Sequence, residues 1–223
     1  MGTRMVYIVA TLGFEERPVL RSVLRHYAEG LSGVAAIMPE TGTRDERGEA
    51  ALSSLRQFLA KFVGIEPVVH RVDPTRFVDA MRAIKSVLIS AVGNHGAVVL
   101  VLGGGMRGLV IEALLAALLL PQDVSGQVQV EVDLEYRDAY FAFSAGDVDR
   151  VTLPRREMSV LREIVDLGGE EVELGEVVRR LGIPKTTAWK IVRRLEHMNL
   201  VRLELAERRL RVSVTLKGML QLI

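Results

Sequence analysis

The sequence predicts an α/β protein: a parallel sheet covered by helices on both faces, followed by a small helical domain that ends in a β-hairpin. Three observations carry this expectation. Apolar runs of five or six residues alternate with helix-length segments through the first 120 residues, which is the signature of successive βαβ units. Near residue 154 that alternation gives way to three helical stripes in a row. Charge divides at the same place. Residues 1–150 hold 15 Lys+Arg against 18 Asp+Glu, or −3, and residues 151–223 hold 14 against 10, or +4.

Met5 to Ala10 is an apolar strand, and Thr11-Leu12-Gly13 turns into a helix from about Glu15 to Tyr27, with Pro18 tolerated in its first turn. Val34 to Met38 is the second strand, followed by the polar loop PETGTR and a helix through about Phe62. Pro67 to Val72 and a helix from Pro74 to Val92 repeat the unit. Val98 to Leu102 is a short run of branched apolar residues, the mark of a strand buried on both faces, and Leu109 to Leu120 is a buried helix. Together these make a Rossmann-like, doubly wound domain over residues 1–150. Gln127 to Leu134 alternates polar and apolar residues and Tyr136 to Phe143 is aromatic, a hairpin that closes the sheet edge. From Pro154, Met158, Leu161, Ile164 and Val165 share one helical face; a second helix runs from about Leu174 to Leu181, and Gly182 breaks it. Pro184 opens a third that ends near Asn199, before VRLELAERRLRVSVT alternates as two strands around Ala206 and Glu207. Three helices and a basic hairpin over residues 154–223 follow the order of a winged helix-turn-helix.

Composition narrows the function classes. With no cysteine in 223 residues, disulfides, thiolate nucleophiles and Cys-ligated zinc are excluded, as suits an intracellular protein. The N-terminal apolar run is too short for a signal peptide, and Leu109 to Leu120 is shorter than the ~20 residues of a membrane span and contains Glu112. The expectation is a cytoplasmic protein without membrane contact. His26, His70, His95 and His197 show no metal-ligand spacing, so no metal, cofactor or catalytic residue is expected.

The stretch LGGGMRG, Leu102 to Gly108, is the richest in chemistry. Gly103, Gly105 and Gly108 satisfy G-x-G-x-x-G, a pattern that lets backbone N–H groups approach phosphate at a helix N-terminus. A dinucleotide fingerprint, however, belongs after the first strand, and here the pattern follows the fourth. A P-loop is excluded because no Gly-Lys-Ser/Thr ending is present. Glycines that only make a tight strand-to-helix junction remain an alternative. The first turn, ATLGF, puts a hydroxyl, a glycine and an aromatic at the carboxyl end of the first strand, where open parallel sheets bind ligands. If the first and fourth strands are neighbours, the two turns share one cleft, and the loop Thr41-Gly42-Thr43-Arg44 closes one side.

In the C-terminal segment, Arg179 to Lys217 carries 11 Lys+Arg against 3 Asp+Glu, which points to a polyanion partner. Ala188, Val192 and Leu195 form one packing stripe. Lys185, Thr186, Thr187, Trp189, Lys190 and Arg193 are left outward, polar donors at a helix N-terminus with cations along its flanks. Arg208, Arg209 and Arg211 arm the hairpin for the phosphate backbone. Docking to another protein is the alternative use of the same basic face.

TLGF after the first strand and GGGMRG after the fourth, in order and joined to TTAWKIVRRLEHMNLV, make the chain resemble the CRISPR-associated Rossmann fold (CARF) winged-helix transcriptional regulators of archaeal type I-A systems. The resemblance spans the whole chain. It implies a homodimeric sensor that binds a cyclic oligoadenylate across its two-fold axis and regulates CRISPR genes, with the winged helix binding double-stranded promoter DNA. By position it assigns Thr11, Leu12, Gly13 and Phe14 to a first ligand loop and Gly104, Gly105, Met106 and Arg107 to a second; Thr43 and Arg44 join the candidate site from the loop read above as closing one side of the cleft. A two-fold dimer offers each loop twice, so a ring with an even number of identical nucleotides satisfies both copies, and cyclic tetra-adenylate is the simplest. The alternative is a ring nuclease that cleaves the ligand through Thr11, Thr43 or Arg44.

Overall fold

The computed structural model describes residues 5–40, 42, 45–134, 139–206 and 209–223. The chain divides into two units, Met1–Gly146 and Asp147–Ile223.

In the N-terminal unit the order is β1 (Val6–Thr11), α1 (Arg17–His26), β2 (Leu31–Pro39), α2 (Glu46–Phe62), β3 (Val68–Val72), α3 (Phe77–His95), β4 (Ala97–Val101), α4 (Arg107–Leu118), a short α5 (Gln122–Ser125), β5 (Val128–Leu134) and β6 (Ala139–Ser144). Among the described residues one sheet runs β3-β2-β1-β4-β5-β6. Every pairing is parallel except β5 with β6, which closes the edge as an antiparallel strand.

Side chains that alternate along a strand go to opposite faces, and here both faces are apolar. Ile8, Ala10, Ala36 and Val99 pack under Val19 and Val23 of α1 and Leu52, Leu55 and Leu59 of α2. Val9, Ile37, Val98 and Leu100 pack under Ile84 and Leu88 of α3 and Leu109, Ala113 and Ala116 of α4. Each fully buried leucine or isoleucine contributes about 1.5–3 kcal/mol, so these two layers hold the sheet together. Asp45 starts α2 by accepting a hydrogen bond from the Gly48 N–H at 3.2 Å, with Glu46 and Glu49 in the first turn, where acids complement the helix dipole.

Boundaries differ from the sequence expectation where helix entry is concerned. The first helix starts at Arg17 rather than Glu15, so Pro18 falls in the turn whose N–H groups need no intrahelical partner. The fourth starts at Arg107, two residues before the expected Leu109. Arg107 therefore opens a helix instead of standing in a loop. The expected strand from Tyr136 begins, among the described residues, at Ala139; Tyr136 itself lies outside them.

The C-terminal unit contains α6 (Arg155–Asp166), β7 (Val172–Glu173), α7 (Leu174–Leu181), α8 (Lys185–His197), β8 (Val201–Ala206), β9 (Arg209–Val214) and α9 (Leu216–Leu220). Its small antiparallel sheet has the order β7-β9-β8. Val160, Leu161 and Ile164 of α6, Val177 of α7, Ala188, Val192 and Leu195 of α8, and Val212 of β9 form its own core. The packing stripe read in the sequence on α8 is thus fully buried. The two-residue β7 and the five-residue α9 were not foreseen, because neither is long enough to display a period.

Candidate functional site

Strand order reverses between β1 and β4: β1 leads on to β2 on one side, and β4 to β5 on the other. Helices leave such neighbours on opposite faces and open a crevice at the carboxyl ends of the strands. The turns Leu12–Glu16 and Leu102–Met106 both lie there.

The two turns are locked against each other through glycine. A Cβ built on Gly13 would overlap the Gly105 backbone, with its nitrogen at 2.6 Å. One on Gly104 would stand 3.1 Å from the carbonyl oxygens of both Thr11 and Glu15, and one on Gly103 would strike the Pro18 ring. Gly105 also holds φ +110°, a conformation that side chains rarely allow. These glycines therefore seat one turn on the other, and at Gly13 and Gly104 the contact is with backbone atoms.

What the pair of turns presents outward has three parts. In neither α1 nor α4 does the N-cap side chain bond a first-turn N–H, so the positive end of each helix dipole stands at the crevice, although in α1 Pro18 has no N–H to offer. Arg107 is exposed as the first residue of α4. Phe14 and Met106 stand at 59% and 42% exposure on the crests of the two turns, flat and polarisable apolar surface beside an anion-binding backbone. Four residues of the expected loops, Thr11, Leu12, Gly13 and Gly104, are buried instead, and the Thr11 hydroxyl donates to the Val101 carbonyl at 3.4 Å. Thr43 and Arg44 lie outside the described residues.

A group of residues that the sequence reading missed braces this site from below. Glu131 of β5, 1% exposed, accepts hydrogen bonds from Ser22 Oγ at 2.9 Å, Arg25 at 2.8 Å and His26 Nε2 at 2.6 Å, all on α1. Asp133 takes Arg25 and Arg21, each at 3.2 Å. Arg25 also lies 4.0 Å over the Tyr140 ring. The Leu102 N–H, at the root of the second turn, donates to the Glu131 carbonyl at 2.8 Å, so the bracket joins α1 to β5 directly under both turns. Burial alone would push the Glu131 carboxyl up, but the bonds from His26, Arg25 and Ser22 together outweigh it and hold it below the usual range. The bond to Glu131 holds the His26 imidazole above its ordinary value, against the effect of burial. The available signal was the alternation QVQVEVDL, which puts Gln129, Glu131 and Asp133 on one strand face, with Arg21 and Arg25 one helical turn apart on α1. In α4, Glu112 is 2% exposed and its Oε2 has no partner among the described residues. Burial, reinforced by the charge of Asp73, raises its pKa.

The C-terminal unit holds the second candidate surface. Lys185, Thr186, Trp189, Lys190 and Arg193 of α8 are exposed and Thr187 is half-buried. The Arg193 guanidinium sits 5.5 Å from the centre of the Trp189 ring and pairs with Glu196 at 2.7 Å. Arg209 pairs with Glu173 at 2.6 Å and Arg211 with Glu171. Arg208 lies outside the described residues. Among the described residues no group of acids and histidines could hold a metal ion, and no helix is long and apolar enough to cross a membrane.

Residues 5–144 match the model of a family described as the Csa3 CRISPR-associated Rossmann-like domain. No curated protein sequence matches the chain. Among solved structures, AF1382 from Archaeoglobus fulgidus is 25% identical over 30% of this chain and 75% of its own, with a TM-score of 0.28. Can2 from Sulfobacillus thermosulfidooxidans, solved in complex with cyclic tetra-adenylate, is 11% identical over 98% of this chain and 62% of its own, with a TM-score of 0.43. A type III CRISPR defence DNA nuclease activated by cyclic oligoadenylate is 12% identical over 86% of this chain and 34% of its own, with a TM-score of 0.44. The chain thus spans less than two thirds of Can2 and about a third of the nuclease.

Proposed function

The chain belongs to the Csa3 CRISPR-associated Rossmann-like domain family, and from that membership we propose that it is a homodimeric sensor of cyclic oligoadenylate that regulates transcription by binding promoter DNA. The observation that carries the ligand half is the pair of uncapped helix N-termini at the strand-order reversal, with Arg107 on one and the exposed Phe14 and Met106 on the crests. First-turn N–H groups without a side-chain cap and a guanidinium suit phosphodiesters, and an aromatic ring beside them suits a purine face. One chain offers these groups once, and two chains about a two-fold axis offer them twice, as a ring of four identical nucleotides requires. A second copy also explains α4, which is apolar on every side yet leaves Ile111 54% exposed, with Leu119 just past its end 58% exposed; a helix of that kind is ordinarily buried all round.

The DNA half takes the C-terminal unit as a winged helix-turn-helix. In this reading α8 is the recognition helix: Thr186 and Thr187 face base edges near its N-terminus, Lys185, Lys190 and Arg193 hold phosphates, and the β8–β9 hairpin is the wing. The ligand is bound and kept intact in this reading, because the Thr11 hydroxyl is buried against Val101.

Incubating the protein with labelled cyclic tetra-adenylate tests the first half: ring retained and unchanged is expected, linear products would mean a ring nuclease, and no retention would mean another effector. Titrating duplex DNA at several salt concentrations tests the second. Two or three phosphate contacts per subunit give a slope of log K against log salt on the order of −4 to −5. A flat slope, or no duplex binding, would favour docking to another protein.

A further inference from the structure

The outer face of the β7-β9-β8 sheet is a mosaic of charge. Along β9, Val212 and Val214 enter the core, so Arg209 and Arg211 project from the opposite face. Pairing register puts Glu173 of β7 and Glu204 of β8 directly across from Arg211, one on each side. Arg209 donates to Glu173 at 2.6 Å, and Arg211 donates to Glu171. Glu171 does not reach this position by chance of rotamer alone. Its backbone sits at φ +48° and its N–H donates to Ser213 Oγ at 2.9 Å, which fixes the start of β7 over β9. The Arg209 pair remains wet, with side chains 68% and 44% exposed, so a competing anion can reach the guanidinium. Lys185 and Lys190 on α8 are different: among the described residues no carboxylate lies within ion-pair distance of either.

We propose that Glu171 and Glu173 are a built-in competitor for nucleic-acid phosphate, occupying the hairpin arginines in the unbound protein and so restraining its adhesion to duplex DNA of any sequence. The proposal rests on the DNA-binding reading above. A phosphate that takes Arg209 or Arg211 must displace a carboxylate already in place, and that exchange returns less free energy than contact with an unpaired cation. On α8, Arg193 carries a comparable partner in Glu196, but Lys185 and Lys190 face no such exchange. Binding is thereby weighted toward the helix that reaches base edges and away from the hairpin, which touches only the sequence-blind backbone.

The test measures fluorescence anisotropy of a labelled duplex of arbitrary sequence against the full chain, its E171Q/E173Q variant and the triple variant E171Q/E173Q/R209Q, across a salt series. Exposed ion pairs are individually weak, so releasing two per subunit should tighten binding about three- to tenfold near 0.1 M salt. The salt slope should steepen by up to about 3–4 as two more cations per subunit of the dimer face phosphate, and adding R209Q should remove about half of that gain. E173Q alone should move binding in the same direction by a smaller amount, and it decides the matter if the double variant fails to fold. Wild-type affinity and slope in E171Q/E173Q and in E173Q, with the wild type binding duplex measurably, would overturn the competitor and leave the DNA reading standing. No duplex binding by any of these proteins at low salt would overturn the DNA reading and the competitor with it.

Discussion

The two candidate surfaces are built from opposite materials. In the N-terminal unit the two turns meet backbone on backbone, with Gly13 against Gly105 and Gly104 against the Thr11 and Glu15 carbonyls, and what they offer a ligand is mostly N–H groups fixed by helix geometry. In the C-terminal unit the offering consists of long, exposed side chains, several already held by acids. Backbone cannot relax around an added atom, whereas a lysine or arginine can find another partner. The first surface is therefore expected to fail all at once and the second by degrees.

The largest effect should come from Gly13→Ala. A methyl group there falls on backbone atoms of Gly105 rather than on a flexible side chain, so the turns must separate. Ring binding should vanish, and the N-terminal unit should lose about 2–4 kcal/mol of stability, read by calorimetry and by a thermal melt. Normal ring affinity in this variant would break the comparison, since the turns would then tolerate being apart. Next in size is Arg107→Glu, which places a negative charge at an uncapped helix N-terminus beside the expected phosphates. It should weaken ring binding at least about 100-fold with little change in melting temperature. That separates the charge of the site from its architecture.

Glu131→Gln acts on the bracket beneath the turns. It leaves Arg25 and His26 partly desolvated without their common acceptor, and about 2–3 kcal/mol should be lost. The difference between wild type and variant should depend on pH in a defined way. Glu131, held low, stabilises the fold above its ordinary value of 4.5 and stops doing so as pH falls through its depressed value. His26, held high, stabilises it fully below 6.5 and stops doing so as pH rises through its raised value. The difference in melting temperature should therefore be widest between pH 4.5 and 6.5 and narrow on both sides. A flat difference would mean that the bracket packs without using its charges. The smallest effect belongs to the second surface: Lys190→Ala should weaken duplex binding only a few-fold, equally on all sequences and without loss of stability. Thr187→Ala should instead alter preference among sites. An all-or-none loss with Lys190→Ala would erase the contrast between the two surfaces.

Much of this arrangement is legible in the sequence, and what is not has physical reasons. Strand and helix periods place β1 to β5 and α1 to α4 in order, and the Ala188, Val192 and Leu195 stripe marks the buried side of α8, because burial writes itself into period. The glycines of LGGGMRG signal a special turn. Whether they cradle phosphate with their own N–H groups or admit a neighbouring turn depends on contacts between residues about 90 apart, such as Gly13 with Gly105, and no local pattern records those. The Glu131 bracket was hidden for the same reason: Ser22, Arg25 and His26 meet it across more than 100 residues. The hairpin arginines were legible as a basic run, but their partners Glu171 and Glu173 come from β7, a strand too short to show alternation.

Titration calorimetry of cyclic tetra-adenylate into the purified chain decides whether the ring is held by two chains, because stoichiometry separates a two-fold ring site from a site complete in one chain. Saturation is expected at one ring per two chains, lost in Gly13→Ala and weakened in Arg107→Glu. No heat of binding, or saturation at one ring per chain with both variants unaffected, would contradict a ring site shared by two chains.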